Sequence, residues 1–382
     1  GDFLVVGTEK TVEVGVRVTD IALVDGLFLI GAPGIGKTEI VRQKTVQMAR
    51  ERGLKFVDLR EVSDQELLEV MKNGEKYCVF YRIAAPHLLP EDLGMPNKNV
   101  DGLKYAEIIP QKVLAVLSAP NLACGVLFID EITNVQREDV LTLLFTLILE
   151  KEASWYLKLN KNVIVIAAGN PPEWSTVANP LPLPLRMGRL IPVRVSPPTV
   201  EDWVKHMDET YGNEWERVIG AYLMMYPGEL ISPPSDDDGF TAVPSPRSWT
   251  KLALLLPKLE RTASRDFVEQ TIIGLVGPKA GVKVAALIFA KADVEGLVNA
   301  VLSNPSTFAK FTETQKILVI NAAAQDPVKF KALAKYLSEH LRDYFVMMLV
   351  LMPKDKRLAL LKDEDYKKMI QVAAKDLMKY GI

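Results

Sequence analysis

The run Gly31-Ala32-Pro33-Gly34-Ile35-Gly36-Lys37-Thr38 places glycine, lysine and threonine at the spacing G-x-x-x-x-G-K-[ST]. Each residue type has a chemical reason to stand where it does. The glycines let backbone N–H groups curl around phosphate oxygens, the lysine reaches the β- and γ-phosphates of a nucleotide, and the threonine hydroxyl is a ligand for Mg²⁺. The context also suits the chemistry. An apolar stretch, Leu27–Ile30, precedes the run, and a helix-like segment from Glu39 to Arg52 follows it, bringing the positive end of a helix dipole. A glycine-rich turn with a solvated lysine is the bland alternative, and the strand before and helix after argue against it.

Turnover of a bound nucleotide needs a second anchor for Mg²⁺ and a group that orients water. Val126-Leu-Phe-Ile-Asp130-Glu131 offers both. Four consecutive apolar residues behind Gly125 read as a buried parallel strand, with Asp130 at its end to hold Mg²⁺ and Glu131 to polarise the attacking water. A further strand, Val163–Ala168, runs into Gly169-Asn170-Pro171-Pro172. Asn170 either opens a turn, the ordinary meaning of Asn-Pro, or stands beside the acidic strand and positions water. Arg186 and Arg189 precede a last short strand, Leu190–Val195, which Pro192 assigns to a sheet edge. They are either solvated or donated to a neighbouring subunit's γ-phosphate, where the transition state gathers charge.

Composition bounds the remaining possibilities. The 382 residues suffice for two or three domains, and 46 basic against 48 acidic residues leave a net charge of −2, which weighs against nucleic acid as the partner. Cys78 and Cys124 lie in apolar surroundings and read as small core residues rather than a disulfide or a metal framework. His87, His206 and His340 have no metal-ligand spacing. No apolar run reaches the length expected of a membrane span and no leader pattern is seen, so a cytoplasmic globular protein is expected.

Taken in order, Gly31–Thr38, Asp130-Glu131, Asn170 and Arg186/Arg189 resemble the Walker A loop, Walker B acids, sensor-1 residue and arginine finger of AAA+ ATPases. Within that superfamily the chain is similar to the MoxR-like, dynein-related group with its helix-2 insert. Asp92-Leu-Gly-Met-Pro96, Ala167-Ala-Gly-Asn-Pro171 and Ser245-Pro-Arg247-Ser-Trp249 resemble elements of that group, the last being its sensor-2 start. The resemblance covers roughly Leu27 to Ile288 and ends near Gly274-Leu-Val-Gly-Pro278. It implies an α/β fold: an AAA+ P-loop core with a five-stranded parallel sheet, then an α-helical lid and further C-terminal helices. It also implies ATP and Mg²⁺ as cofactors, with Thr38 and Asp130 on the metal and Glu131, Asn170, Arg186, Arg189 and Arg247 serving catalysis. The partners it implies are other copies in a ring, expected to be hexameric, and a protein substrate such as a von Willebrand factor A-domain protein. A nucleic-acid translocase and a nucleotide-dependent scaffold with little turnover are the competing readings.

These motifs need supporting elements. Residues 1–26 form a β-prone extension in which Val12, Val14, Val16 and Val18 alternate, closed by the turn Asp25-Gly26. The core is expected over 27–231, with an insert-bearing region at 54–110 in which Leu67, Leu68 and Met71 share a helical face. A proline- and aspartate-rich linker, 232–246, follows, its aspartates reading as a solvated loop. Residues 247–382 make the lid and C-terminal helical domain. There Tyr344–Met352 reads as a buried helix or an intersubunit contact, and its methionines as core packing.

Overall fold

A computed structural model describes residues 15–88, 95–97, 107–109, 112–154, 157–175, 178, 180–234 and 238–373. The chain forms two compact units, Gly1–Pro197 and Pro198–Ile382. The expected core boundary at 231 therefore falls inside the second unit.

In the first unit the phosphate-loop context is as the sequence predicts. Strand β1 (Leu27–Ile30) leads through the loop into helix α1 (Lys37–Glu51). Then come β2 (Lys55–Asp58), α2 (Asp64–Lys72) and β3 (Tyr77–Ala84). Helix α2 starts at a reciprocal cap in which Ser63 and Glu66 satisfy each other's backbone N–H groups at 3.3 and 3.2 Å. A small antiparallel pair, β4 (Met95–Asn97) and β5 (Glu107–Ile109), occupies the insert-bearing region. Asp92, Leu93 and Gly94 of the Asp-Leu-Gly-Met-Pro element lie outside the described residues. Helix α3 (Lys112–Leu117) leads to β6 (Cys124–Asp130), and α4 (Glu138–Glu150) leads to a second small pair, β7 (Glu152–Ser154) and β8 (Leu157–Lys158). The unit closes with β9 (Val163–Gly169), the short α5 (Leu183–Arg186) and β10 (Ile191–Arg194).

The main sheet is parallel, in the order β10-β1-β9-β6-β3-β2, and so has six strands rather than the expected five. The unexpected member is β3, whose apolar run is interrupted by Tyr81 and Arg82 and so is hard to recognise in the sequence. Helices cover the sheet, so β6 is buried along its whole length, as parallel strands tend to be. Pro192 does sit on an edge strand. Beyond β10, Val16 bridges Val195 in parallel, which adds one rung of the N-terminal extension to that edge. Val12 and Val14 lie outside the described residues.

Cys78 and Cys124 correct the sequence reading. The register of β3 on β6 sets them opposite each other with Cα atoms 4.4 Å apart, and they form a disulfide in the buried interior. Burial was legible from their apolar neighbours. Their pairing depends on inter-strand register, which neither segment carries by itself.

The second unit is helical. Helices α6 (Val200–Tyr211) and α7 (Val218–Met225) bury Trp203, Met207 and Tyr222 in one core with Trp249 of α8 (Pro246–Thr262), which explains why the first unit ends at Pro197. Thr199 caps α6 and Ser245 caps α8, the latter with Pro246 in the first turn. The long α9 (Arg265–Ala290) is kinked at Gly277, where φ is +84° and a Cβ would stand 2.8 Å from the Ala242 carbonyl oxygen. Six further α-helices follow among the described residues: α10 (Val294–Ser303), α11 (Glu313–Gln325), α12 (Pro327–His340), α13 (Arg342–Leu351), α14 (Lys354–Leu360) and α15 (Glu364–Val372). Met347, Met348 and Met352 are buried in this core, as expected.

Contrary to the sequence reading, one described stretch, Arg265–Ser303, is long and apolar enough to cross a bilayer by length and composition. Half of its most apolar window is buried inside the unit and the Gly277 kink interrupts it, as suits a core helix. Among the linker aspartates, Asp238 accepts from the Phe240 and Thr241 N–H groups at 2.8 and 2.7 Å, the work of a loop residue.

Candidate functional site

Register explains how distant residues meet. Ile30 pairs with Gly169, Ile129 with Ala167, and Ala84 with Asp130, so β1, β9, β6 and β3 end together. Crevices at the carboxyl ends of parallel strands are where open α/β sheets bind ligands. The phosphate loop, Asp130, Glu131 and Asn170 all emerge there.

The loop's shape depends on its glycines. Gly34 and Gly36 adopt φ of +74° and +96°, and a Cβ on Gly31 would stand 2.7 Å from the Ile35 side chain. Lys37 is buried and folds back onto the loop. Its Nζ donates to the Gly31 and Ala32 carbonyls at 2.5 and 3.0 Å and to Asn170 Oδ1 at 3.1 Å. Burial pulls the lysine down to about 8, while the charges of Asp130 and Glu131 work against that fall. Lys37 is therefore an under-neutralised cation at the mouth of the loop, a setting that favours anionic phosphate.

Thr38 Oγ1 donates to Asp130 Oδ2 at 2.9 Å. With its proton committed to the carboxylate, the hydroxyl keeps its lone pairs available, and the pair forms an all-oxygen donor set that fits a hard cation such as Mg²⁺. Asp130 is buried and its Oδ1 accepts from the Glu131 N–H at 2.9 Å. Glu131 itself adopts the left-handed conformation, φ 58° and ψ 34°, which a residue with a Cβ seldom takes up. Its acceptance at a strand end inside the site marks a position where side-chain placement outweighs backbone comfort.

Asn170 does more than open a turn. Besides accepting from Lys37, its N–H donates to Thr133 Oγ1, which donates back to the Asn170 carbonyl, both at 3.2 Å. Asn170 is thereby held from both sides. A Cβ on Gly169 would stand 2.7 Å from Thr133, so this clamp requires glycine just before Asn170.

Besides Thr133, one further residue of the site escaped the sequence reading. Arg82, on β3, donates from Nε and Nη2 to Asp130 Oδ2 at 3.0 and 2.8 Å. A lone arginine within an unrecognised strand carries no motif, and only the β3–β6 register brings it to the acid.

The remaining expected residues lie elsewhere. Arg186 and Arg189 are exposed; Arg186 Nε donates to the Leu181 carbonyl at 3.1 Å and Arg189 makes a 3.6 Å ion pair with Glu150. Since β10 runs parallel to β1, with Leu27 opposite Ile191, Arg189 stands at the beginning of β1 while the phosphate loop follows its end. The four residues of β1 separate the two by roughly 13 Å at ~3.3 Å per residue. Arg247 belongs to the second unit, exposed in the first turn of α8.

Residues 27–195 match the family described as ATPase family associated with various cellular activities (AAA). No curated protein matches the chain. Similar solved structures include a RuvB mutant from Thermotoga maritima (17% identity, 68% of this chain and 64% of that chain, TM-score 0.36). Others are NtrX from Brucella abortus in complex with ADP (14% identity, 100% and 69%, TM-score 0.37) and AMPPCP-bound DnaA from Aquifex aeolicus (12% identity, 100% and 93%, TM-score 0.31). The chain thus spans less than two thirds of that RuvB chain. Residues 27–195 are thus similar to an AAA ATPase family domain, and Gly31–Thr38, Asp130, Glu131 and Asn170 all lie inside the match.

Proposed function

We propose that this chain is an ATP-hydrolysing subunit of the MoxR-like kind, working in a cytoplasmic ring to remodel a protein partner such as a von Willebrand factor A-domain protein. The observation that carries the reading is the joining of Lys37 to Asn170 and of Thr38 to Asp130 at one end of the sheet, with Arg189 stranded at the other.

ATP is the substrate. Backbone N–H groups of Gly31–Thr38 and the Lys37 ammonium hold its phosphates, Lys37 exchanging carbonyl partners for phosphate oxygens. Mg²⁺, held by Thr38 and by Asp130, would withdraw charge from those phosphates. Asn170 fixes a water and Glu131 accepts its proton as the water oxygen bonds to the γ-phosphorus and the β–γ bridging oxygen leaves with ADP. The arginine that neutralises the transition state then comes from a neighbour, since Arg189 stands too far from its own loop. We favour Arg189 over Arg186 as this finger.

Mixing subunits tests the scheme. An Arg186→Ala, Arg189→Ala chain keeps its phosphate loop and a Lys37→Ala chain keeps its arginines. The arginine variant alone should lose turnover by roughly 10³-fold or more, the scale of other arginine fingers, and the lysine variant alone should lose it together with ATP binding. Together they should recover part of it, because some interfaces pair a good loop with a good arginine. No recovery in a mixture shown to co-assemble would overturn the trans assignment.

A further inference from the structure

The second unit holds a groove of about 700 Å³ where α6 meets α13 and α14, lined by Lys205, Asp208, Lys354, Arg357, Leu358 and Leu361 among others. Glu201, Asp208 and Glu209 face Lys205, Lys354 and Arg357 across it, but not every acid is free to pair. Asp208 is the natural partner for Arg357, but Asp208 is already committed. Its Oδ1 accepts from Arg217 Nη1 and, at 3.2 Å, from Trp215 Nε1, and its Oδ2 accepts from Arg217 Nη2 at 3.3 Å. Arg217 is itself buried, stacked 4.6 Å over Trp215 and bonded to the Leu351 carbonyl, so this pairing is built into the core. Two guanidinium groups therefore share one carboxylate. The Arg357 Nε is buried with no hydrogen-bond partner. Burial lowers the Arg357 guanidinium below the ordinary arginine value; Asp208 resists that and Arg217 adds to it.

A partly buried cation without its own counter-charge is costly, and an incoming carboxylate would relieve that cost. The rest of the groove narrows the ligand class. Leu358 and Leu361 are about half exposed, at 53% and 48%, and offer an apolar shelf beside the guanidinium. Glu201 and Glu209 also line the groove and would repel a phosphate or a densely acidic ligand.

We propose that this groove docks a peptide segment bearing a single carboxylate next to an apolar side chain, the carboxylate pairing with Arg357 and the apolar group packing on Leu358 and Leu361. The inference does not depend on nucleotide hydrolysis, and its test needs no ATP.

The probe is an acetylated, amidated nine-residue peptide with a central glutamate flanked by leucines and glycine–serine ends, titrated into the full chain by calorimetry. Saturable binding is expected, weaker by about tenfold or more when the glutamate is replaced by glutamine, since a charge-assisted hydrogen bond is lost. Arg357→Gln should weaken the glutamate peptide to a similar degree while leaving the thermal midpoint unchanged or higher, because an under-partnered charge has been removed. A residue with a merely structural role would lower the midpoint. Leu358→Asp, at an exposed position that folding does not need, should also cut affinity by about tenfold or more through repulsion. Absence of saturable binding to the wild type, equal affinity for the glutamate and glutamine peptides, or glutarate binding as tightly as the peptide would each overturn the proposal.

Discussion

Lys37 makes a quantitative forecast about pH. In the nucleotide-free chain, burial lowers its pKa from 10.5 to about 8, despite the opposing charges of Asp130 and Glu131. Because the folded value lies below the unfolded one, the charged lysine costs stability at every pH below about 8. That cost fades as pH climbs from 8 to 10.5 and the lysine enters the fold neutral. The shift of roughly 2.5 units corresponds to about 3 kcal/mol. Phosphate reverses the balance, since two or more negative oxygens beside Nζ favour the ammonium and return its pKa toward the ordinary value. ADP binding should then take up a proton wherever the free chain has lost one. Affinity should be flat from pH 7 to 7.5, fall roughly tenfold by pH 9, and tend toward a loss of about 300-fold at higher pH if the full shift is restored. Calorimetry in EDTA, in two buffers of different ionisation heat, measures both quantities. About half a proton should be taken up per ADP at pH 8 and close to one at pH 9. An affinity independent of pH from 7 to 9.5, with no proton uptake, would refute the idea that burial controls this lysine.

Three further outcomes follow from the site. Glu131→Gln should retain ATP binding and lose turnover, because a carboxamide cannot take a proton from water; wild-type-like hydrolysis would show that another group is the base. Arg82→Ala should lower the unfolding free energy by about 2 kcal/mol in denaturant titrations, because it strips two charge-assisted hydrogen bonds from Oδ2 of buried Asp130; a change below about 0.5 kcal/mol would show that the pair contributes no stability. Arg247→Ala should weaken ATP more than ADP if the second unit's arginine senses the γ-phosphate, and equal losses in calorimetric titrations of the two nucleotides would leave it only a structural role.

The parts legible in the sequence were those fixed by local physics. The phosphate loop is a contiguous run whose glycines adopt backbone angles that other residues resist, and its strand and helix neighbours follow from composition over a few residues. β6 as far as Ile129, and β9, are apolar because parallel strands covered by helices are buried on both faces. Everything that depends on register was hidden. The Cys78–Cys124 pair, the Arg82–Asp130 pair and the Thr133–Asn170 clamp each join segments far apart in sequence, and a one-residue slip in pairing would have dissolved all three. The limit of the first unit at Pro197 is a matter of packing. α6 is amphipathic and α7 apolar all round, so either could have covered the sheet, and the packing of Trp203 and Tyr222 with Trp249 shows that they serve the other core.

The same register turns an ambiguous pair of arginines into an argument about assembly. From sequence alone, Arg186 and Arg189 are two exposed cations before an edge strand, equally suited to solvent or to a phosphate. Once β10 is known to lie beside β1 and to run in the same direction, the ambiguity narrows. Residues leading into a parallel neighbour must stand at the end of the sheet opposite the loop that leaves β1. Neither rotamer choice nor a small loop movement carries Arg189 across the length of a strand. A Gly26 carbonyl bonded to the Ile191 N–H at 2.8 Å and a Leu185 carbonyl bonded to the Leu190 N–H at 2.8 Å tie down the backbone on both sides of that corner. If Arg189 has a catalytic role, the site it serves must therefore belong to another copy of the chain. A phosphate loop at one end of the sheet and Arg189 at the other are what the proposed head-to-tail assembly would require of each subunit. Closure of such contacts into a ring is then a matter of rotation angle between subunits.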